Sequence, residues 1–175
     1  MTDIREIAQL GNPVLRQPAE VVTDLDSPET QAIIKALQDT LASTQGVGIA
    51  APQISLSKQI MIIASRPSTR YPHAPMMTPT VMINPSFTAL SNDKEKDWEG
   101  CLSIPGIRAL VPRYKNILVS YTDTNSILVE TRLEGFVARI FQHEFDHLNS
   151  KVYLDSVEEN QDIFSESEYF KIINA

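Results

Sequence analysis

The stretch Gln142-His143-Glu144-Phe145-Asp146-His147 decides how the rest of the chain is read. It sets two histidines four residues apart, with a glutamate directly after the first. On an α-helix, residues i and i+4 lie one above the other on one face. His143 and His147 therefore point the same way and can share one metal ion. Glu144 can then reach a water on that ion as general base. The flanking pattern agrees with a helix: from Gly135 onward, Phe136, Ile140, His143 and His147 fall on one stripe. The chain has only three histidines, and two of them meet here. The third, His73, sits in a proline-rich loop and is expected to be exposed.

Two imidazoles do not complete a catalytic metal site, which ordinarily takes three protein ligands and keeps a position open. No histidine follows His147. Glu158 and Glu159 remain possible downstream. The stronger candidate lies upstream: Cys101, the only cysteine, in Trp98-Glu99-Gly100-Cys101-Leu102-Ser103-Ile104-Pro105-Gly106. A thiolate suits zinc or ferrous iron. Gly100 lets the backbone come close or take a positive φ. Such an ion lowers the pKa of bound water toward about 7, so hydroxide is available at neutral pH. If that water attacks a carbonyl, an oxyanion needs donors. The backbone N–H of Leu102 and the side-chain amide of Gln53 are candidates.

The bulk numbers set the frame. At 175 residues, with 42% hydrophobic and 21% charged residues, the chain fits one domain with a real core. We expect one domain over 1–175, ending in a short acidic tail at 156–175. A single cysteine excludes an internal disulfide. The longest apolar run, Gln59 to Ala64, is strand-sized and far short of a membrane span. The first residues resemble neither a secretory signal nor a transit peptide. A cytoplasmic protein, or a processed mature form, is the expectation. The net charge of −7 and the absence of a basic, aromatic-rich block argue against direct nucleic-acid binding.

Along the chain, Ser27 reads as a helix cap and Pro28 as a first helical residue. Ile33, Ile34, Leu37 and Leu41 then recur at helical spacing. Lys58 to Ala64 reads as a strand, and Val81 to Pro85 as a short strand stopped by the proline. Leu90 to Asp97 reads as a polar turn. Asn116 to Gly135 reads as two strands joined at Asp123–Ser126, where Asn125 can take the positive φ. The fold class expected is α+β: antiparallel β-sheets packed around a central helix that carries the histidines.

Gly46 to Gln53 (GVGIAAPQ) loosely fits a dinucleotide-binding pattern. That pattern must follow a strand and open a helix. Here a helical pattern precedes it and Pro52 interrupts it, so nucleotide binding is rejected. The reading that remains is a backbone edge, kept clear by Gly46 and Gly48, that lies close to substrate.

Three stretches together resemble the peptide deformylases. They are Gly46-Val47-Gly48-Ile49-Ala50-Ala51-Pro52-Gln53, Glu99-Gly100-Cys101-Leu102-Ser103 and the histidine helix itself. Residues 12–19 and 104–113 are similar too, and the likeness spans about 5–155. The resemblance implies an enzyme that removes the formyl group from the N-terminal formyl-methionine of new polypeptides and releases formate. It implies a divalent ion on Cys101, His143 and His147, natively Fe(II), with Zn(II) or Ni(II) as substitutes. It implies Glu144 as general base and acid, with Gln53 and the Leu102 N–H holding the formyl oxygen. Glu99 and Gly100 fall in the same site. Ile140 and Phe136, on the face of His143, and Val47 opposite would line a methionine pocket. Gly48 would offer backbone hydrogen bonds to an extended peptide. Arg108 matches a family position near the substrate backbone.

The chain departs from the family at His147-Leu148-Asn149-Ser150, where a glycine is usual. Asn149 or Ser150 must then end the helix. The tail carries Glu158, Glu159, Asp162, Glu166 and Glu168 against Lys171, so ribosome docking through it is disfavoured by the RNA phosphates. A monomer is expected. Two rival readings share the motif. A metalloendopeptidase needs a ligand other than Cys101 and a cleft on both sides of a peptide bond. A non-catalytic peptide-binding relative would be expected to have lost Glu144 or Gln53, yet both are present.

Overall fold

Helix α1 (Pro28–Ala42) begins where its cap lies. The computed structural model, which describes residues 1–175, shows Ser27 Oγ accepting from the Thr30 N–H at 3.1 Å, with Pro28 in the first turn. Proline loses nothing there, because that N–H has no helical partner. Ile33, Ile34, Leu37 and Leu41 are buried on one face and pack on Ile49, Ile60 and Ile62.

Those isoleucines belong to a five-stranded antiparallel sheet. Its strands are β1 (Gly48–Ala50), β2 (Ile60–Ile63), β3 (Thr80–Ala89), β6 (Asn116–Thr122) and β7 (Leu128–Glu134), paired in the order β1-β2-β3-β6-β7. A second antiparallel sheet pairs β4 (Lys94–Cys101) with β5 (Ile104–Tyr114) and β5 with β8 (Ile163–Ser165). Helix α2 (Gly135–Leu148) lies between them. Its Ala138, Ile140, Phe141 and Leu148 bury into the large sheet against Met61, Ile63, Met82, Ile117 and Val119. Burying each large apolar side chain is worth roughly 1.5–3 kcal/mol, so α2 is anchored chiefly by packing. Its other face reaches the second sheet through Arg139, which donates to Val111 O at 2.7 Å and Glu95 O at 2.7 Å. The architecture is α+β, with antiparallel sheets around a central histidine-bearing helix.

Several local readings change. Pro85 does not stop its strand; β3 runs on to Ala89, with a register shift between Ile83 and Ser86. Asn84 takes φ 49°, and its side chain pairs with both backbone groups of Val22 at 2.9 and 2.8 Å. Proline is tolerated in a sheet at such a bulge. The turn after β3 is only Leu90–Asp93, and the charged residues from Lys94 are already β4. In the β6–β7 turn Ser126, not Asn125, takes positive φ (61°). Ser150 does so (65°) after α2, where the family glycine is missing.

The acidic C-terminal residues are docked. Ile163, Phe164 and Ser165 pair with Ala109, Arg108 and Ile107 of β5. Ser165 then caps α3 (Glu166–Ile173), accepting from the Glu168 N–H at 3.3 Å.

Candidate active site

Three buried side chains from two elements meet at one end of α2. Cys101 ends β4, and His143 and His147 are one turn apart on α2. Their sulfur and nitrogen atoms lie within 4.8 Å of one another. Cys101 Sγ is 3.3 Å from His147 Nε2. One thiol and two imidazoles, converging and shielded from solvent, fit a borderline-soft divalent ion such as Zn(II) or Fe(II).

A hydrogen-bonded frame holds the first imidazole. Glu99 Oε2 lies 2.8 Å from His143 Nδ1, which leaves Nε2 to face the cysteine. Glu99 is itself held by two arginines: Arg113 Nε and Nη2 at 2.8 and 3.0 Å, and Arg139 Nη1 at 3.0 Å. Arg113 Nη1 continues to Asp146 Oδ2 at 2.6 Å. Burial alone would raise the Glu99 carboxyl, but Arg113 and His143 hold it well below the usual carboxylate range. Tyr153 stacks on the His143 ring with centroids 5.7 Å apart. Outer partners of this kind fix ring orientation and ligand basicity. For the imidazoles, burial works against charge on both. Cys101 and Glu99 nonetheless raise His143 well above the ordinary value, whereas burial and His143 take His147 well below it.

Glu144 lies beside the metal cluster and faces β1. It is 4% exposed, and its Oε2 has no hydrogen-bond partner. Burial pushes its carboxyl up to about 7. A carboxyl so placed can hold or release a proton near neutral pH. Room for it comes from Gly48: a Cβ there would lie 2.5 Å from Glu144 Oε1. Gln53, in the 3₁₀ turn Ala51–Ile54, accepts from the Ala50 N–H at 2.9 Å through Oε1. That fixes its amide, whose Nε2 donates to Ser103 Oγ at 3.2 Å and faces Cys101 Sγ at 3.5 Å.

A cleft opens in front of these groups. It gathers Gly46, Val47, Gly48, Gln53, Glu99, Gly100, Cys101, Leu102, Phe136, Ile140, His143 and Glu144 from the sequence-derived set. His147 lies behind them, fully buried. Arg108 does not line the cleft. It is 1% exposed and runs under Gly100, where a Cβ would meet Arg108 Nη1 at 2.2 Å. The reason is its partners: Nε donates to Glu166 at 3.2 Å and Nη1 to the Tyr71 hydroxyl at 3.1 Å. Glu99 borders the cleft, but both its oxygens are taken by the arginines and His143. Sequence reasoning passed over Arg70, Tyr71 and Trp98, which border the same cleft. The proline-rich loop offered no periodicity to place the first two. Arg113, the partner of both Glu99 and Asp146, was equally invisible, because its pairing crosses three elements.

Comparison with known proteins settles the family. A family model described as Polypeptide deformylase matches residues 4–162. The chain belongs to the polypeptide deformylase family. Peptide deformylase 2 of Nostoc sp. is 49% identical over 171 residues, covering 98% of this chain and 96% of that protein. Peptide deformylase 1 of Nitrosomonas europaea is 45% identical over 150 residues, 86% of this chain and 85% of the other. Among solved structures, the class I type b peptide deformylase of Acinetobacter baumannii with Met-Ala-Ser bound superposes with a TM-score of 0.87 at 39% identity, covering 90% of this chain and all (100%) of that one. The Synechococcus elongatus deformylase in complex with actinonin superposes at 0.80 and 36% identity, covering 91% and 82% of the two chains. The deformylase family is metal-dependent, and the cluster of Cys101, His143 and His147 is this member's candidate metal site.

Proposed function

We propose that this deformylase hydrolyses the N-formyl group of formyl-methionyl peptides, with Glu144 as the proton carrier. The observation that carries this reading is the juxtaposition of an unpaired, buried Glu144 carboxyl with the Cys101–His143–His147 cluster. A divalent ion held by those three residues supplies Lewis-acid activation of water and of the formyl oxygen. Fe(II) is the proposed native ion, with Zn(II) and Ni(II) as substitutes that the same donors accept.

The chain's own residues do the rest. Glu144 takes a proton from the attacking water as its oxygen adds to the formyl carbon. It then delivers that proton to the departing amine as the C–N bond breaks, leaving formate and a free N-terminus. A buried carboxyl with an unpartnered oxygen is placed to carry the proton in both directions. Gln53 Nε2 and the Leu102 N–H donate to the formyl oxygen as it gains charge. Val47, Phe136 and Ile140 receive the methionine side chain. The peptide extends along β1, which pairs with β2 on one side only and so has a free edge for strand addition.

No helix is long and apolar enough to cross a membrane. A cytoplasmic monomer of one domain acting on nascent chains is the reading we favour. The acidic tail at 156–175 opposes docking on ribosomal RNA, so weak ribosome affinity is part of this reading. Formate release from formyl-Met-Ala-Ser by metal-loaded protein, with an internal Met-Ala bond as control, separates this reading from an endopeptidase. Cleavage of the internal bond would overturn it.

A further inference from the structure

The C-terminal helix packs against Arg70 and Trp98, which border the cleft. Glu166, its first residue, bridges two arginines: Arg108 Nε at 3.2 Å and Arg70 Nη2 at 3.5 Å. Tyr169, one turn on and 3% exposed, donates its hydroxyl to the Arg70 carbonyl at 2.9 Å. The Arg108 guanidinium lies between two rings, 5.1 Å from the centroid of Tyr169 and 5.8 Å from that of Tyr71. Its Nη1 also donates to the Tyr71 hydroxyl. Tyr71 in turn packs on Phe136, with centroids 4.8 Å apart. Both Tyr71 and Phe136 border the cleft. A continuous set of contacts therefore runs from α3 through Arg70 and Arg108 to one wall of the cleft.

We propose that α3 is a built-in latch of the methionine pocket: Glu166 and Tyr169 are positioning residues that hold Arg70–Tyr71 against Phe136, and Tyr71 contacts the first side chain of the substrate and helps to select it. This inference rests on the deformylase reading above. Three observations favour it over simple packing of a terminal helix. Arg70 and Tyr71 sit in a proline-rich segment outside both sheets, where the backbone of Tyr71 pairs only with Ser68 and Ala74 of its own loop, so α3 supplies hydrogen bonds that tie this loop to the rest of the fold. Glu166 and Tyr169 both bond to Arg70, while Arg108 and Phe136 both meet Tyr71. Gly100, next to the metal-site cysteine, is the residue whose missing side chain gives Arg108 its passage.

The chain carries a reporter for the latch. Trp98, the one tryptophan, packs edge-on against Tyr169 at 5.0 Å and borders the cleft. The test compares wild type, Glu166→Gln, Tyr169→Phe and Tyr71→Ala, all metal-loaded. Each is assayed on formyl-Met-Ala-Ser and formyl-Ala-Ala-Ser, and titrated with the product peptide Met-Ala-Ser by Trp98 fluorescence. Loss of an apolar wall contact costs discrimination of about tenfold. The expected result is a roughly tenfold fall in the Met-over-Ala ratio of kcat/KM for Tyr71→Ala, a smaller fall for Glu166→Gln and Tyr169→Phe, and weaker Met-Ala-Ser binding in step. KM should carry the change, with kcat near wild type. An active wild type whose three folded variants keep both the ratio and the peptide affinity within twofold would overturn the latch alone. A wild type inert toward formyl-Met-Ala-Ser would overturn the function it rests on and the latch together.

Discussion

Glu99 Oε2 stands 2.8 Å from His143 Nδ1, and this contact joins the candidate metal centre to an ionic network across two strands of one sheet and a helix. Glu99 comes from β4, Arg113 from β5, and Arg139, His143 and Asp146 from α2. A buried carboxylate is tolerated only with such partners. Here both oxygens are used, and one of them holds the His143 ring through Nδ1.

Replacing Glu99 with Gln should therefore weaken metal binding rather than abolish the fold. Outer-shell partners of a ligating histidine are worth about 10–100-fold in affinity. Competition dialysis with Zn(II) or Ni(II) reads this directly. Affinity within twofold of wild type would show that the frame does not act on the ion.

Cys101→Ala removes one of the three proposed ligands. The expected outcome is loss of the bound ion in elemental analysis, with helical signal retained in circular dichroism. Retention of a full equivalent would mean that Cys101 is not a ligand.

Gly48→Ala tests the space that Glu144 occupies. A Cβ at this position would lie 2.5 Å from Glu144 Oε1 and must push the carboxyl aside. General acid–base catalysis is worth roughly 10²–10⁴-fold, so kcat should fall by at least about tenfold while the ion stays bound. Unchanged kcat would place the proton carrier elsewhere.

Gly100→Ala acts on a different neighbour. Its Cβ would meet Arg108 Nη1 at 2.2 Å and displace a guanidinium that is 1% exposed. Overpacking of this kind costs about 1–3 kcal/mol. Thermal melting should show a Tm lowered by several degrees. A wild-type Tm would mean that Arg108 moves aside freely.

Much of this was legible in the sequence because it is local. The i, i+4 histidines, the Ser27–Pro28 helix start, the β6–β7 hairpin and the α+β class follow from short-range periodicity and caps. The misreadings arise where a distant partner overrides a local signal. Pro85 looks like a strand end, but Asn84 pairs with Val22 and turns it into a bulge within β3. The run from Lys94 looks like a turn because it is charged. It is a strand because its backbone pairs with β5. Arg108 matches a family position near the substrate backbone, and its pairing through Nε with Glu166, 58 residues on, was not legible locally. The acidic tail showed little periodicity, and its helix is fixed by contacts with Arg70, Arg108 and Trp98 that no short window contains.

The most direct measurement compares wild type and Glu144→Ala, with bound metal quantified in both, on formyl-Met-Ala-Ser and acetyl-Met-Ala-Ser. The account predicts rapid release of formate and free amine by wild type from the formyl peptide alone. It predicts a full metal equivalent in Glu144→Ala, with turnover down by roughly 10²–10⁴-fold. Comparable turnover in the two proteins, or no turnover by fully metallated wild type, would contradict it.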